Sequence, residues 1–157
     1  MKRLFILMLL VCLNIFGQDV SEMLNSEDLI QKKLGIRQAA QKPELETKII
    51  EMFKTDTNLE VQMEAARVLG AYKKESCLTV LLEVLKTTDS EDLQSSIIQA
   101  LINYSDKESA VNAILDILKN GKTEFTRSIA AQTIVDIKTE AVVDALIEAL
   151  NDNSPIV

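Results

Sequence analysis

Along residues 61–86 the apolar positions fall into two helical groups either side of a short polar break. The first group contains Ala65, Ala66, Leu69 and Gly70. The second places Leu78, Leu81, Leu82 and Leu85 on one face at a 3.6-residue period, and Val80 and Val84 widen that face. Two amphipathic segments joined so closely predict a helix pair. A second helix with so wide an apolar face is expected to touch its own partner and the helices on both sides of it.

The same two-part pattern recurs. Ile49-Ile50-Glu51-Met52-Phe53-Lys54 aligns with Leu81-Leu82-Glu83-Val84-Leu85-Lys86. Next come Ile114-Leu115-Asp116-Ile117-Leu118-Lys119 and Leu146-Ile147-Glu148-Ala149-Leu150-Asn151, at steps of 32, 33 and 32 residues. In the first halves, Leu69, Leu101 and Ile134 align at the same steps, preceded by Ala65-Ala66, Ile97-Ile98 and Ala130-Ala131. Ser26-Glu27-Asp28-Leu29 returns unchanged as Ser90-Glu91-Asp92-Leu93. A period in this range marks stacked supersecondary units, none of which can bury its apolar face alone. The predicted fold is therefore all-α: an α-solenoid of about four two-helix repeats over 26–55, 56–88, 89–121 and 122–152, with the start of a fifth at 153–157.

Local signals place the helix ends. Ser26 is the expected cap of a helix over 27–38, and Pro43 opens its partner. Thr57 to Glu60 and Ser105 to Glu108 have capping-box spacing, and Ser90 is the expected cap of the first helix of unit three. Gly70 stands near a helix end, where positive φ is often needed. Tyr72 and Tyr104 occupy equivalent places in units two and three; half-buried rings with hydrogen-bonded hydroxyls are the expected reading, a binding platform the alternative. Asn120-Gly121-Lys122-Thr123 is the strongest turn signal, with helices of unit four expected from Glu124 and Thr139. The polar first unit reads as a capping repeat. Unit four is apolar, so residues 151–157 read as a frayed tail, or as part of an apolar edge covered by another chain, or as the start of a unit in a chain shorter than the original gene product.

The unit resembles the short HEAT-like repeat, of the kind found in phycobilisome lyase subunits, in which Asp-x-x-Pro-x-Val-Arg precedes Ala-Ala-x-x-Leu-Gly and a Leu-Leu helix. Glu60-Val61-Gln62 with Ala65-Ala66 and Leu69-Gly70 carries the likeness, and Asp152-Asn153-Ser154-Pro155-Ile156-Val157 looks like another opening. The family's arginine position holds Gln62, Gln94 and Arg127, and the early prolines are mostly absent. The resemblance spans roughly residues 26–157 and implies a scaffold.

The N-terminus departs from this pattern. Lys2 and Arg3 precede an unbroken apolar run over 4–13, closed by Asn14-Ile15-Phe16-Gly17. A basic start, a short apolar core and a small residue at its end describe a secretory signal over 1–17, with 18–25 as a linker. The run is too short for a membrane span, which needs about 20 apolar residues; a buried helix is the alternative. Val11 stands where lipid attachment at Cys12 would want a small residue. The expected location is the periplasm.

Removing 1–17 takes away two basic residues and no acidic one. From the 17 basic and 24 acidic side chains of the whole chain, 15 and 24 then remain, a formal charge of −9. That excess argues against nucleic acid and anionic membranes as partners. Cys77 would be the remaining cysteine, read as a buried small hydrophobe, with an exposed thiol as the alternative.

Chemistry is scarce. The chain has no histidine, which removes the usual general base and the commonest metal ligand. Neither a phosphate loop nor a paired-cysteine metal site is present, so no catalytic residue, metal or cofactor is expected. The candidate partner-binding residues are Glu51, Glu83, Asp116 and Glu148, one per repeat, each except Glu148 followed three residues on by a lysine. A solvated face is the plain reading of this ladder. A strip for a basic partner segment, strongest near Glu148, is the sharper one. The expected function is a non-catalytic protein-interaction scaffold, exported to the bacterial cell envelope and binding along the groove of its stacked second helices. The alternative is an accessory subunit like the bilin lyase HEAT-like proteins.

Overall fold

The computed structural model describes residues 19–157; the expected signal over 1–17 and Cys12 lie outside the described residues. Nine α-helices and no strand are found among the described residues. A short α1 (Val20–Leu24) leads into four helix pairs: α2 (Leu29–Ala39) with α3 (Glu46–Thr55), α4 (Leu59–Tyr72) with α5 (Glu75–Thr87), α6 (Glu91–Leu101) with α7 (Glu108–Asn120), and α8 (Glu124–Ile134) with α9 (Glu140–Ala149). The chain is the all-α solenoid that its recurrence predicts.

The first helices α2, α4, α6 and α8 stack closely in sequence order, and the second helices pack more loosely. Small residues make the close approach possible: Ala65, Ala66, Gly70, Ala100 and Ala130 are all buried. One continuous apolar cluster runs through all four pairs, from Val20 to Ala145. Burial of this kind stabilises by about 25 cal/mol per Å² of apolar surface, and no single pair could provide it.

Helix starts differ in detail from the sequence expectations. Ser90 and Thr123 cap as N-cap residues do, accepting from Leu93 N–H and Thr126 N–H. In unit one the cap is Asp28, not Ser26; the Asp28 carboxylate accepts from Ile30 N–H at 2.8 Å, while Ser26 Oγ accepts from Asp28 N–H at 3.1 Å. In unit two the cap is Asn58, not Thr57. No side chain caps α7, whose N-cap is Lys107, so the expected second capping box does not form. Pro43 opens a single 3-10 turn, Pro43–Leu45, that runs directly into α3.

Two further expectations need correction. The stretch 18–25, read as a linker, carries α1, and Val20, Met23 and Leu24 are buried. Those three share one helical face, while Ser21, Glu22 and Asn25 point outward. A Cβ on Gly35 would lie 2.8 Å from Met23 Cβ, so α1 sits directly on α2. Gly70 does not take positive φ; Lys73, at φ 53°, turns the chain between α4 and α5. Gly70 is needed for space, since a Cβ there would meet the Cβ and carbonyl of Ala100 at 2.9 Å.

The two tyrosines tie successive repeats together. Tyr72 hydroxyl donates to the Ala39 carbonyl at 2.8 Å, and Tyr104 hydroxyl donates to the Leu69 carbonyl at 2.8 Å. Each accepting carbonyl lies in the last turn of the preceding repeat's first helix, where carbonyls lack intrahelical partners. Burial pushes the Tyr72 hydroxyl up to about 12 and raises that of Tyr104 further. Both rings are structural.

Candidate partner-binding surfaces

All four ladder carboxylates are exposed, one on each second helix: Glu51 on α3, Glu83 on α5, Asp116 on α7 and Glu148 on α9. Their partners are not those expected from sequence. Lys54 reaches past its own helix to Glu83 of the next repeat at 3.0 Å, and Lys119 does the same to Glu148 at 2.8 Å. Glu51 pairs with Lys48 at 3.2 Å, and Asp116 accepts from Asn120 Nδ2 at 2.8 Å. Glu148, read as unopposed, is therefore opposed. The cause is reach: a lysine on one edge of a second helix meets the carboxylate on the facing edge of the next one. Exposed pairs of this sort contribute about 0–1 kcal/mol each.

The first-helix face carries a depression that spans three repeats. Across α2, α4 and α6 runs a shallow groove of about 260 Å³, lined by residues that include Lys33, Glu64, Arg67, Gln99 and Asn103. Arg37 Nε lies 3.0 Å from Glu64 of the next repeat, and Arg67 binds the same carboxylate. Burial alone would raise the Glu64 carboxyl; the two guanidiniums outweigh it and leave it below its ordinary value. Arg37 and Arg67 each stand nine residues after a cap, Asp28 and Asn58, but the later units have Gln99 and Gln132 there, and sequence reading placed the unit-one cap at Ser26, which hid the match. Gln99 and Asn103 are exposed on its far wall.

A recurrent basic clasp joins repeat openings. The residue four after the cap is Lys32 in unit one and Arg127 in unit four. Lys32 Nζ lies 3.3 Å from Asp56, and Arg127 grips Asp152 with two bonds of 2.7 and 2.8 Å. Asp56 stands two residues before the next cap, Asn58, and Asp152 two residues before Ser154. Units two and three have Gln62 and Gln94 there, and Gln94 instead bonds the Thr88 carbonyl at 3.0 Å. Asp152 also accepts from Ser154 N–H at 2.8 Å, and Ser154 Oγ accepts from Ile156 N–H, so residues 152–156 adopt the geometry of a repeat opening. They are folded against Arg127, not frayed.

Cys77 is fully buried, and burial together with nearby Glu46 pushes its thiol up to about 11. Glu46 is held below the usual carboxylate range by Lys74 at 2.5 Å and by Ser76. A buried, protonated thiol beside a carboxylate is a poor nucleophile, which agrees with the small-hydrophobe reading. Among the described residues no group of three or more His, Cys, Asp or Glu is placed to hold a metal ion, and no helix is long and apolar enough to cross a membrane.

Two family models match the chain. One, described as HEAT repeats, covers residues 31–102, and the other, described as PBS lyase HEAT-like repeat, covers residues 126–152. No curated protein matches it.

Proposed function

The chain belongs to the HEAT-like repeat proteins, and from that premise we propose that it is a non-catalytic scaffold, exported to the bacterial cell envelope, that binds a protein partner across its stacked helices. HEAT repeats are protein-interaction scaffolds, and the observation that carries the reading here is the groove over α2, α4 and α6. It crosses three consecutive repeats and offers charged and amide groups of both hydrogen-bonding senses in shallow relief. Such a surface suits an extended polypeptide better than a small substrate, which wants a concave and mostly apolar pocket.

The groove is a better candidate than the second-helix ladder because its lining comes from three consecutive repeats and includes the exposed amides of Gln99 and Asn103. Glu51, Glu83, Asp116 and Glu148 are assigned a secondary role in drawing a basic segment toward the chain, an effect on association rate more than on affinity. Export rests on Lys2, Arg3 and the apolar run over 4–13.

The test is crosslinking in intact envelopes with photoreactive residues at Gln99 or Asn103, read by mass spectrometry. Defined adducts at these positions, absent from exposed control sites such as Thr47, are the expected outcome. Adducts that do not depend on position would remove the groove from consideration. Recovery of the chain from the cytoplasm with residues 1–17 intact would remove export. A visible absorbance band in the purified protein would favour the bilin lyase alternative.

A further inference from the structure

One exposed residue of each first helix stands nine places after its cap: Arg37, Arg67, Gln99 and Gln132. The row changes character along the array, from two guanidiniums to two amides. Beneath the guanidiniums lies Glu64, whose side chain is only 12% exposed. Arg37 reaches it with Nε at 3.0 Å and Nη2 at 3.4 Å, and Arg67 reaches it with Nη2. A guanidinium carries five N–H donors in a fixed fork and does not lose its charge. Arg37 Nη1, Arg67 Nε and Arg67 Nη1 have no acceptor among the described residues.

These side chains leave a local surplus of positive charge. Lys33, Arg37 and Arg67 meet Glu60 and Glu64, three cations against two anions, on a chain whose formal charge is −7. Asp92, at the other end of α6 from Asn103, does not line the groove. Glu64 stays ionised, being held below its ordinary value, and fixes both forks in place. Their side-chain freedom is thus spent before anything binds. Toward unit three the groove passes over half-buried Met63 and buried Ala100 to the amides of Gln99 and Asn103. Asn103 Nδ2 donates to the Ala100 carbonyl at 3.2 Å, which leaves the Asn103 side-chain oxygen as an acceptor.

We propose that the groove binds an extended acidic segment of a partner protein, with an aspartate or glutamate carboxylate on the free N–H groups of Arg37 and Arg67 and main-chain groups on the amides of Gln99 and Asn103. The inference rests on the reading of the groove as a partner surface and names the chemistry of its occupant. Charge complementarity carries it, since an arginine fork matches a carboxylate with two parallel hydrogen bonds. Length agrees. Packed helices lie about 8–10 Å apart, and an extended chain advances about 3.3 Å per residue. A carboxylate at Arg67 therefore stands about three residues from the main-chain groups that meet Gln99. The acidity of the rest of the chain opposes this only weakly, because charges are screened beyond about 8 Å at physiological salt. Nucleic acid is a poor occupant, since its affinity comes from many neutralised phosphates and the surplus here is small.

The probe is a library of random peptides of about ten residues, long enough to cross three helices, displayed on phage and selected against the full chain. Arg67→Gln removes the surplus charge while Arg37 stays on Glu64. Peptides selected on the full chain are expected to share an aspartate or glutamate, and those selected on Arg67→Gln to lack it. The chain contains no tryptophan, so a selected peptide bearing one reports its affinity by fluorescence. Changing the shared acid to its amide should weaken binding about tenfold in the full chain and hardly at all in Arg67→Gln. Asn103→Asp, which leaves the arginines alone, should weaken the acidic peptide severalfold. Lys86→Gln, on the second-helix face, should leave it unchanged.

Arg67, Asn103 and Lys86 are exposed, and circular dichroism confirms that the variants fold. A neutral or basic consensus overturns the proposal, as does a selection that enriches no sequence. An acid-to-amide loss that persists in full in Arg67→Gln also overturns it. So does a dimer in sedimentation that Arg67→Gln dissolves, since the occupant would then be a second copy. The crosslinks at Gln99 and Asn103 read occupancy whatever the charge of the segment. Position-specific adducts beside a neutral consensus would keep the groove and sink only its acidic occupant, whereas adducts independent of position would remove the groove itself.

Discussion

Gly70 lies so close to Ala100 of the next repeat that a Cβ added to it would stand 2.9 Å from the Ala100 Cβ and from its carbonyl oxygen. Two of the obstructing atoms are backbone, so no side-chain rotation makes room. In an uncrowded helix, glycine to alanine stabilises by about 1 kcal/mol. Here overpacking costs about 1–3 kcal/mol and wins. Gly70→Ala is expected to lower the midpoint of thermal unfolding, and a raised midpoint would show that α4 and α6 are not held at this distance.

Lys73 shows the opposite sign. At φ 53° it is a non-glycine residue in the left-handed region, where a Cβ costs roughly 1–2 kcal/mol. Lys73→Gly relieves that cost and adds back some chain entropy on unfolding, roughly 0.5–1 kcal/mol. A net gain of up to about 1 kcal/mol is expected, measured by urea unfolding with an unchanged slope.

Tyr104→Phe removes the hydroxyl that donates to the Leu69 carbonyl while keeping the buried ring. The carbonyl then loses its donor inside the array, at a cost of about 1–3 kcal/mol. Tyr72→Phe should cost less, because Tyr72 is less buried than Tyr104. Chemical denaturation of both variants gives the order, and equal effects would contradict it.

The Arg127 guanidinium, helped by Ser154 N–H, holds the Asp152 carboxyl down from 3.8 to about 2. A carboxylate depressed in the folded chain adds stability above its unfolded value, and that stability is lost as pH falls toward the folded one. An NMR titration of Asp152 should therefore show a midpoint near 2, returning toward 3.8 in Arg127→Gln. The stability difference between the two proteins should hold above pH about 3.8 and shrink below it.

The identical tetrapeptides Ser26-Glu27-Asp28-Leu29 and Ser90-Glu91-Asp92-Leu93 mark the limit of local reading. The first starts its helix from Asp28 and the second from Ser90. Serine and aspartate are both competent caps, so the choice passes to the surroundings. Ser26 N–H is already bonded to the Met23 carbonyl in the turn that leaves α1, and the helix begins two residues later. The ladder was misread for a related reason. Glu51 and Lys54 are three apart in sequence, but Lys54 finds its carboxylate on the next repeat, and no spacing along one helix reveals that.

What the sequence determined by itself is what repeats: the helix pairs, their 32–33-residue step, the apolar face of each and the tyrosines between them. Periodicity records burial because every repeat meets the same neighbours. Tertiary structure alone decided what depends on a single neighbour. It showed that α1 closes one end, that Gly70 makes room for Ala100 instead of turning the chain, and that Arg127 clasps Asp152. It also showed that Leu150, with the same sequence signature as Phe53, Leu85 and Leu118, stands exposed. A leucine is buried only when another helix lies over it, and that depends on the next element in space.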